Sequence, residues 1–395
     1  MTSPPVPKTR KNSPLFTPTR LGHIDLGHRI VQAPCTRMRC DIESRGIYVP
    51  GARVAKYYGD RASSGGLQIS EATDICLDAS AYPRVPGVFT DSQLHGWQKV
   101  TDAVHAKGGF IFCQLWHTGR ASSTEMRGGK RPISSGDLPM SGKYLDGTDC
   151  VEDPPRPMSV DEIHDITKEW ATAAKRAVEV AHFDGVEIHG ANGYLLEQFL
   201  HDNINRRTDE YGGSLENRCR FLLEVVSAVS NSIGSERTGL RLSPFNYYQD
   251  TRDSDPNEHW LALCQKLASL PPTERPAYPR FDEVLDEEQK LAALAKYTCE
   301  PVTKQNSLTP FRRALEIAGI KFLACGNFNC DNAVIKLEKM EADLIVFGRH
   351  FVANPDLVNR LGNGWALNPY DRSTFYGADP LDKGYNDYPI YDRAP

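Results

Sequence analysis

The sequence has no Cys-x-x-Cys pair and no Cys/His group at metal-ligand spacing, although ten cysteines are spread over its 395 residues, at 35, 40, 76, 113, 150, 219, 264, 299, 325 and 330. That scatter excludes a zinc ribbon and a disulfide scaffold, and it reads as reduced thiols, mostly in the core. No run of eighteen apolar residues occurs, so no membrane-spanning helix is expected. The first residues, "MTSPPVPKTRKNSP", lack the apolar stretch of a secretion signal, and the last, "YDRAP", match no retention or peroxisomal signal. A cytosolic protein is expected. The basic residues form no concentrated stripe and the net charge is −5, which argues against nucleic acid or a membrane surface as a partner. No G-x-G-x-x-G follows a strand-like run, so a separate dinucleotide-binding domain is not expected.

What is present is an alternation of short apolar runs with longer amphipathic ones. The short runs are "RIVQAP" (29–34), "GLQISEA" (66–72), "GFIFCQLW" (109–116), "GVEIHG" (185–190), "GLRLSP" (239–244), "KFLACGN" (321–327) and "DLIVFGR" (343–349). Between them lie helical patterns such as 91–108, 159–182, 214–233, 257–270 and 285–297, with Ser159 and Ser214 as N-caps. Strands apolar on both faces and separated by helices argue for parallel strands covered by helices. The length suits an α/β fold of the (β/α)8 TIM-barrel type, a single domain with insertions. A doubly wound sheet is the competing architecture. Residues 118–157, rich in Gly, Ser and Pro, read as an excursion over the exit of the third strand, because the alternation resumes unchanged after them.

Barrels carry their chemistry at the C-terminal ends of the strands, and the residues there are rich in functional groups. The last two strands end in Gly326-Asn327 and Gly348-Arg349. Each glycine alone marks a turn; paired at these two positions they also fit a phosphate site, with backbone N–H groups open to an anion and Arg349 adding a charge-assisted contact. Arg241 is a cation inside an apolar run. Either it pairs with a helix carboxylate or it faces a bound anion. Thr36 and Gln114, at neighbouring strand ends, could grip a flat heteroaromatic ring, so a planar phosphorylated cofactor would use all of these groups.

The fourth strand exits through His189, Asn192 and Tyr194. A neutral imidazole and a carboxamide three residues apart can both donate to one carbonyl oxygen as it gains negative charge. Tyr194 can serve as a proton donor with a high pKa. The bland alternative is that Asn192 caps the following helix, Tyr194 packs and His189 is a satisfied core residue. Convergence with the ring-binding and phosphate-binding groups on one rim favours the chemical reading.

The stretch "HGANGYLLEQFLHDNINRRTDEYGGSLENRCRFLLEV" (189–225) resembles the signature region of the Old Yellow Enzyme family, FMN-dependent ene-reductases built on a βα barrel. So do "RIVQAPCTRMR" (29–39), "CQLWHTGR" (113–120), "GLRLSP" (239–244), "CGNF" (325–328), "FGRHFVANPDL" (347–357) and "DRSTFY" (371–376). The match runs in order from about residue 15 to 391, which implies one domain over 15–391 behind a flexible segment, 1–14. The resemblance implies tightly bound FMN, its phosphate held by Gly326, Asn327, Gly348 and Arg349. Thr36 would bond the flavin near O4 beside Pro34 and Cys35, Ala72 would leave room for the ring, Gln114 would bind its pyrimidine edge and Arg241 would sit near N1 and O2. It further implies a ping-pong cycle in which NADPH reduces the flavin, leaves, and is replaced by an α,β-unsaturated carbonyl compound. His189 and Asn192 would hold the carbonyl oxygen and Tyr194 would protonate the α-carbon, with Trp116, His117, Phe375 and Tyr376 lining the pocket. A monomer or homodimer is expected.

One stretch departs from the family pattern. Between helices 257–270 and 285–297 the barrel needs a sixth strand, and the chain offers only "ERPAYPRFDEV" (274–284), where Pro276 and Pro279 bracket two residues. Proline cannot donate to a central ladder, so this strand is expected to be atypically short, irregular or rebuilt from neighbouring sequence. Two further readings of the same family exist: an isomerase or oxidase of specialised metabolism, and a flavin-binding barrel with impaired turnover. Retention of Tyr194 favours net reduction. A metal-dependent barrel hydrolase using His117 and His189 is the alternative from another class, and the absence of His-x-His near the first strand argues against it.

Overall fold

The computed structural model describes residues 10–282 and 307–392, so the expected helix 285–297 lies outside the described residues. Eight parallel strands close on themselves: β1 (Ile30–Gln32), β2 (Leu67–Ile69), β3 (Phe110–Trp116), β4 (Gly185–His189), β5 (Thr238–Leu242), β6 (Tyr278–Asp282), β7 (Leu323–Cys325) and β8 (Leu344–Phe347). Closure follows from pairing in register all the way round, from β3 with β4 through β8 with β1. This is the expected (β/α)8 barrel, and the doubly wound alternative is excluded by the closed sheet.

Helices return the chain between strands: α1 (Ala52–Arg61), α2 (Asp91–His105), α3 (Val160–Glu179), α4 (Leu195–Leu200), α5 (Leu215–Ile233), α6 (Pro256–Ser269), α7 (Thr309–Glu316), α8 (Cys330–Glu338), α9 (Arg349–Ala353) and α10 (Leu357–Asn363). Ser159 and Ser214 cap α3 and α5 as expected, Ser159 through a reciprocal capping box with Glu162. No described helix is long and apolar enough to cross a membrane. The nine described cysteines are all free thiols.

Two apolar layers result. Side chains such as Ile111, Val186, Ile188, Leu240 and Phe281 pack outward on the helices. Val31, Leu67, Phe112, Tyr278, Leu323 and Leu344 fill the lower lumen, plugged from beneath by Leu21, Ile24 and Leu26 of the antiparallel hairpin 19–26. Above this layer the lumen is polar. Gln114 and Glu187 are cross-strand partners on β3 and β4, and Gln114 Nε2 donates to Glu187 Oε1 at 2.8 Å. Arg280 of β6 donates to both oxygens of Glu187 at 3.0 Å, all of it buried.

The sixth strand corrects the expectation that it would be atypically short. It has five residues, as many as β4 and β5, all of them buried, and pairs with β5 from Tyr278 and with β7 from Arg280. Alternation explains why it was illegible: Tyr278, Arg280 and Asp282 face the lumen, where their polar groups find partners, while Phe281 faces the helices and stacks on Phe322 at 4.7 Å. Pro279, opposite Leu240, removes a single donor, and pairing with β7 begins only after it.

Replacing Arg280 with leucine leaves Glu187 buried without its cation. The expected cost is about 3–5 kcal/mol of unfolding free energy in urea titrations, and a Glu187→Leu/Arg280→Leu double variant recovers part of it. A near-neutral single variant would show that Glu187 finds another partner.

Candidate active site

The β4 exit carries the histidine, and its geometry fixes which nitrogen is available. His189 faces Arg241 across β4 and β5, with His189 Nε2 3.4 Å from Arg241 Nη1. A guanidinium only donates, so Nε2 accepts and the neutral ring carries its proton on Nδ1. That Nδ1 is buried and has no hydrogen-bond partner among the described residues. Burial first, then the charges of Arg241 and Arg280, hold the imidazole well below its usual pKa, so it is neutral at physiological pH.

Asn192 lies in the left-handed region at φ 56°, followed by Gly193 at φ 76°. Two backbone clamps stabilise this turn: Asn192 N–H donates to Ser243 Oγ at 2.8 Å, and Gly193 N–H donates to the Glu197 carboxylate. Ser243 Oγ in turn donates to Glu197 Oε1 at 2.5 Å. The capping alternative for Asn192 does not hold, because the N-cap position of α4 is Tyr194 and no side chain caps it. The Asn192 carboxamide makes no hydrogen bond among the described residues, and it is left on the same rim as His189.

Tyr194 stands edge-on to both Trp116, 4.9 Å between ring centroids, and His189, 5.1 Å. Burial, then the neighbouring tyrosines, push its hydroxyl well above the ordinary phenol pKa, so it stays protonated. Tyr82, in the loop after β2, is one of those tyrosines and meets Trp116 edge-on at 5.1 Å. Ala72 is buried in the same cluster with Val85 and Trp116.

Other predicted residues are distributed around this centre. Pro34, Cys35 and Thr36 are half-buried at the β1 exit. Gln114 is buried and spends its amide N–H on Glu187, which leaves its carbonyl oxygen without a donor among the described residues. Arg241 is ion-paired, though not with a helix: Asp282 at the end of β6 accepts from its Nη2 at 2.7 Å. At β7 and β8, Gly326 has φ 148° and Asn327 φ 40°, and Arg349 Nη2 donates to Asn327 Oδ1 at 3.1 Å. A Cβ on Gly348 would lie 3.7 Å from Cys35 Sγ, so this corner abuts the β1 exit. His117 is the outlier. Its Nδ1 accepts from Gly119 N–H at 3.0 Å, and burial with the Arg127 charge keeps it neutral, so its described partners lie in the excursion rather than in the Trp116–Tyr194 cluster.

The C-terminal segment closes one side. Arg37 donates to the carbonyls of Phe375, Thr374 and Gly384, Arg39 to those of Thr374, Leu381 and Lys383, and Arg61 to that of Tyr385. Tyr385 stacks on Tyr57 at 4.2 Å. This grip sets Phe375 against Arg37 and leaves Tyr376 exposed, close enough to influence Tyr194 together with Tyr248. Sequence reasoning missed Tyr82, Tyr248, Glu187 and Asp282. Glu187 alone had a signal, an acid inside an apolar run, the same oddity that singled out Arg241.

Comparison with known proteins identifies the family of the chain. Residues 14–368 match the model of the NADH:flavin oxidoreductase / NADH oxidase family. The flavin oxidoreductase hxnT of Emericella nidulans is 58% identical over 382 residues, 95% of this chain and 97% of that protein. The rice (Oryza sativa subsp. japonica) 12-oxophytodienoate reductase 1 is 43% identical over 388 residues, covering 96% and 94%. Among solved structures, morphinone reductase in complex with tetrahydroNAD superposes with a TM-score of 0.82 at 40% identity, covering 96% of this chain and 98% of that one. The old yellow enzyme homologue from Zymomonas mobilis gives 0.84 at 36% identity, covering 95% and 99%. The chain therefore belongs to the NADH:flavin oxidoreductase family, the Old Yellow Enzymes. It is a flavin oxidoreductase of that family, using FMN and a nicotinamide cofactor.

Behind the Asn192 turn lies a buried charge cluster with a pH signature. His201 Nδ1 is 2.9 Å from Asp253, its Nε2 is 3.6 Å from Glu197, and His259 Nδ1 is 2.8 Å from the other Asp253 oxygen. Burial alone would lower the His201 pKa, but Asp253 and Glu197 outweigh it and raise it to about 10. A raised histidine contributes stability that is complete below about pH 6.5, its unfolded value, and lost as pH climbs toward 10. Unfolding free energy should thus fall by a few kcal/mol between pH 6 and 10. His201→Asn should be less stable at pH 6 and show a flatter profile; parallel profiles for the two proteins would count against the cluster.

Proposed function

We propose that the protein is an NADPH-dependent ene-reductase that reduces the activated C=C bond of enals and enones by a ping-pong cycle. The observation that carries this is the pair of unused donors at the β4 exit, His189 Nδ1–H and the Asn192 carboxamide, beside the protonated hydroxyl of Tyr194. A buried polar atom without a partner is costly, so a site that keeps one is built for a ligand acceptor. Relatives named for reduction of 12-oxophytodienoate and morphinone, both carbonyl compounds by name, support the same substrate class.

The residues fit FMN. Thr36 and the free carbonyl oxygen of Gln114 offer contacts to its ring edges, with Pro34 and Cys35 alongside and Ala72 small enough to leave room. Arg241 would meet the N1 and O2 edge, and Gly326, Asn327, Gly348 and Arg349 would hold the phosphate. Bound FMN would supply hydride chemistry between NADPH and the β-carbon of the acceptor.

The chain's own groups do the rest. His189 and Asn192 donate to the carbonyl oxygen, which polarises the double bond and stabilises the negative charge that develops on the oxygen. His189 keeps this donor across the working pH range, because burial and the two arginines hold the ring neutral while Arg241 occupies Nε2. Tyr194 delivers its proton to the α-carbon, and its high pKa keeps that proton in place until the carbanion forms. Trp116, Phe375 and Tyr376 line the approach, while His117 supports the excursion.

The purified protein should be yellow, bleach with NADPH under anaerobic conditions and recover colour when a cyclic enone is added. A colourless protein that takes up no FMN would sink the proposal. Tyr194→Phe should leave the NADPH half-reaction nearly unchanged and slow the enone half-reaction by about 100-fold or more. Equal loss in both would remove Tyr194 as proton donor. His189→Ala should weaken phenol binding about tenfold, read from the flavin spectrum, because a phenolate oxygen occupies the acceptor's place; unchanged affinity would remove His189 from that contact.

A further inference from the structure

The barrel register sets two cations side by side. Arg241 on β5 and Arg280 on β6 are direct cross-strand partners on the lumen face. Like charges so placed repel, the more strongly away from water. Asp282 joins them: one carboxylate oxygen accepts from Arg280 Nη1 at 2.8 Å, the other from Arg241 Nη2 at 2.7 Å and Nε at 3.3 Å. Arg280 spends its remaining edge on Glu187 at 3.0 Å. Two guanidiniums thus face two carboxylates, Asp282 bridging the two cations.

Seen from the rim, Arg241 is therefore a guanidinium whose charge is shared with a carboxylate in direct contact. The same balance reaches the β4 exit, where Asp282 opposes the effect of Arg241 and Arg280 on His189.

We propose that Asp282 is a positioning and charge-setting residue for Arg241, aiming its guanidinium at the flavin edge and offsetting its charge, so that bound FMN has a lower reduction potential than Arg241 alone would give. This rests on the proposed contact between Arg241 and the N1 and O2 edge. A cation there stabilises the anionic reduced flavin, and a carboxylate bonded to that cation weakens the effect. The chain thereby trades some ease of flavin reduction by NADPH for a more strongly reducing flavin toward the acceptor.

The test uses the FMN-loaded protein and two readouts other than turnover: the flavin midpoint potential by dye equilibration, and sulfite affinity by loss of flavin absorbance. Asp282→Asn and Asp282→Ser should each raise the potential and tighten sulfite binding about tenfold. Asp282→Glu keeps the charge and should leave both unchanged; a shift as large as that of the neutral variants overturns the proposal. Arg241→Gln should lower the potential. If Arg241→Gln shifts it while both neutral Asp282 variants melt earlier without shifting it, Asp282 is structural only and the proposal fails, with the reading of Arg241 intact. If Arg241→Gln changes neither readout, it is the contact between Arg241 and the flavin that fails.

Discussion

Arg280 and Glu187 meet inside the barrel with no edge open to water, and the upper lumen is organised around that contact. Neither charge could be buried alone, because an isolated ion in such surroundings would cost several kcal/mol. Each therefore draws in a further partner: Glu187 orders the Gln114 amide, and Arg280 orders Asp282, which orders Arg241. Arg241 in turn occupies His189 Nε2 and leaves Nδ1 as the donor. A chain of charge-assisted bonds thus runs from the middle of the barrel to the atom proposed to hold the acceptor. The lower lumen does the opposite work, since its apolar packing over the hairpin 19–26 gives the polar layer a rigid floor.

Seven of the eight strands were legible in the sequence because each is a mostly apolar run broken by at most one or two polar residues, close to what a helix-covered parallel strand requires. The sixth was not, because its lumen-facing residues are Tyr278, Arg280 and Asp282, whose fitness for burial depends on Glu187 and Arg241 more than forty residues away. No local pattern carries that information. The same limit applied to Arg241: an ion pair was anticipated, but with a helix carboxylate, whereas the partner stands at the end of the adjacent strand. The caps at Ser159 and Ser214 were readable because a cap is a local interaction.

The candidate site divides in the same way. His189, Asn192 and Tyr194 lie within one short stretch, so their proximity was visible before any fold was known. Tyr82 and Tyr248 come from loops after other strands and bear on Tyr194 only through the closed barrel. Gln114 and His117 show the converse, residues whose position on the strand end was right but whose side chains are partly committed to the protein itself.

Arg37, Arg39 and Arg61 are buried, and almost all of their N–H groups end on backbone carbonyls, many of them in the last stretch of chain from Thr374 to Tyr385. Carbonyl oxygens carry no net charge, so these guanidiniums are solvated by the tail much as they would be by water. A protease nick or a premature stop ahead of Thr374 would therefore strip Arg37 and Arg39 of most of their partners in the interior, while Arg61 keeps Tyr57, Phe351 and Val352, and would unseat the wall that carries Phe375 and Tyr376. Quality control in the cell would meet such a shortened chain as a misfolded protein rather than a trimmed enzyme.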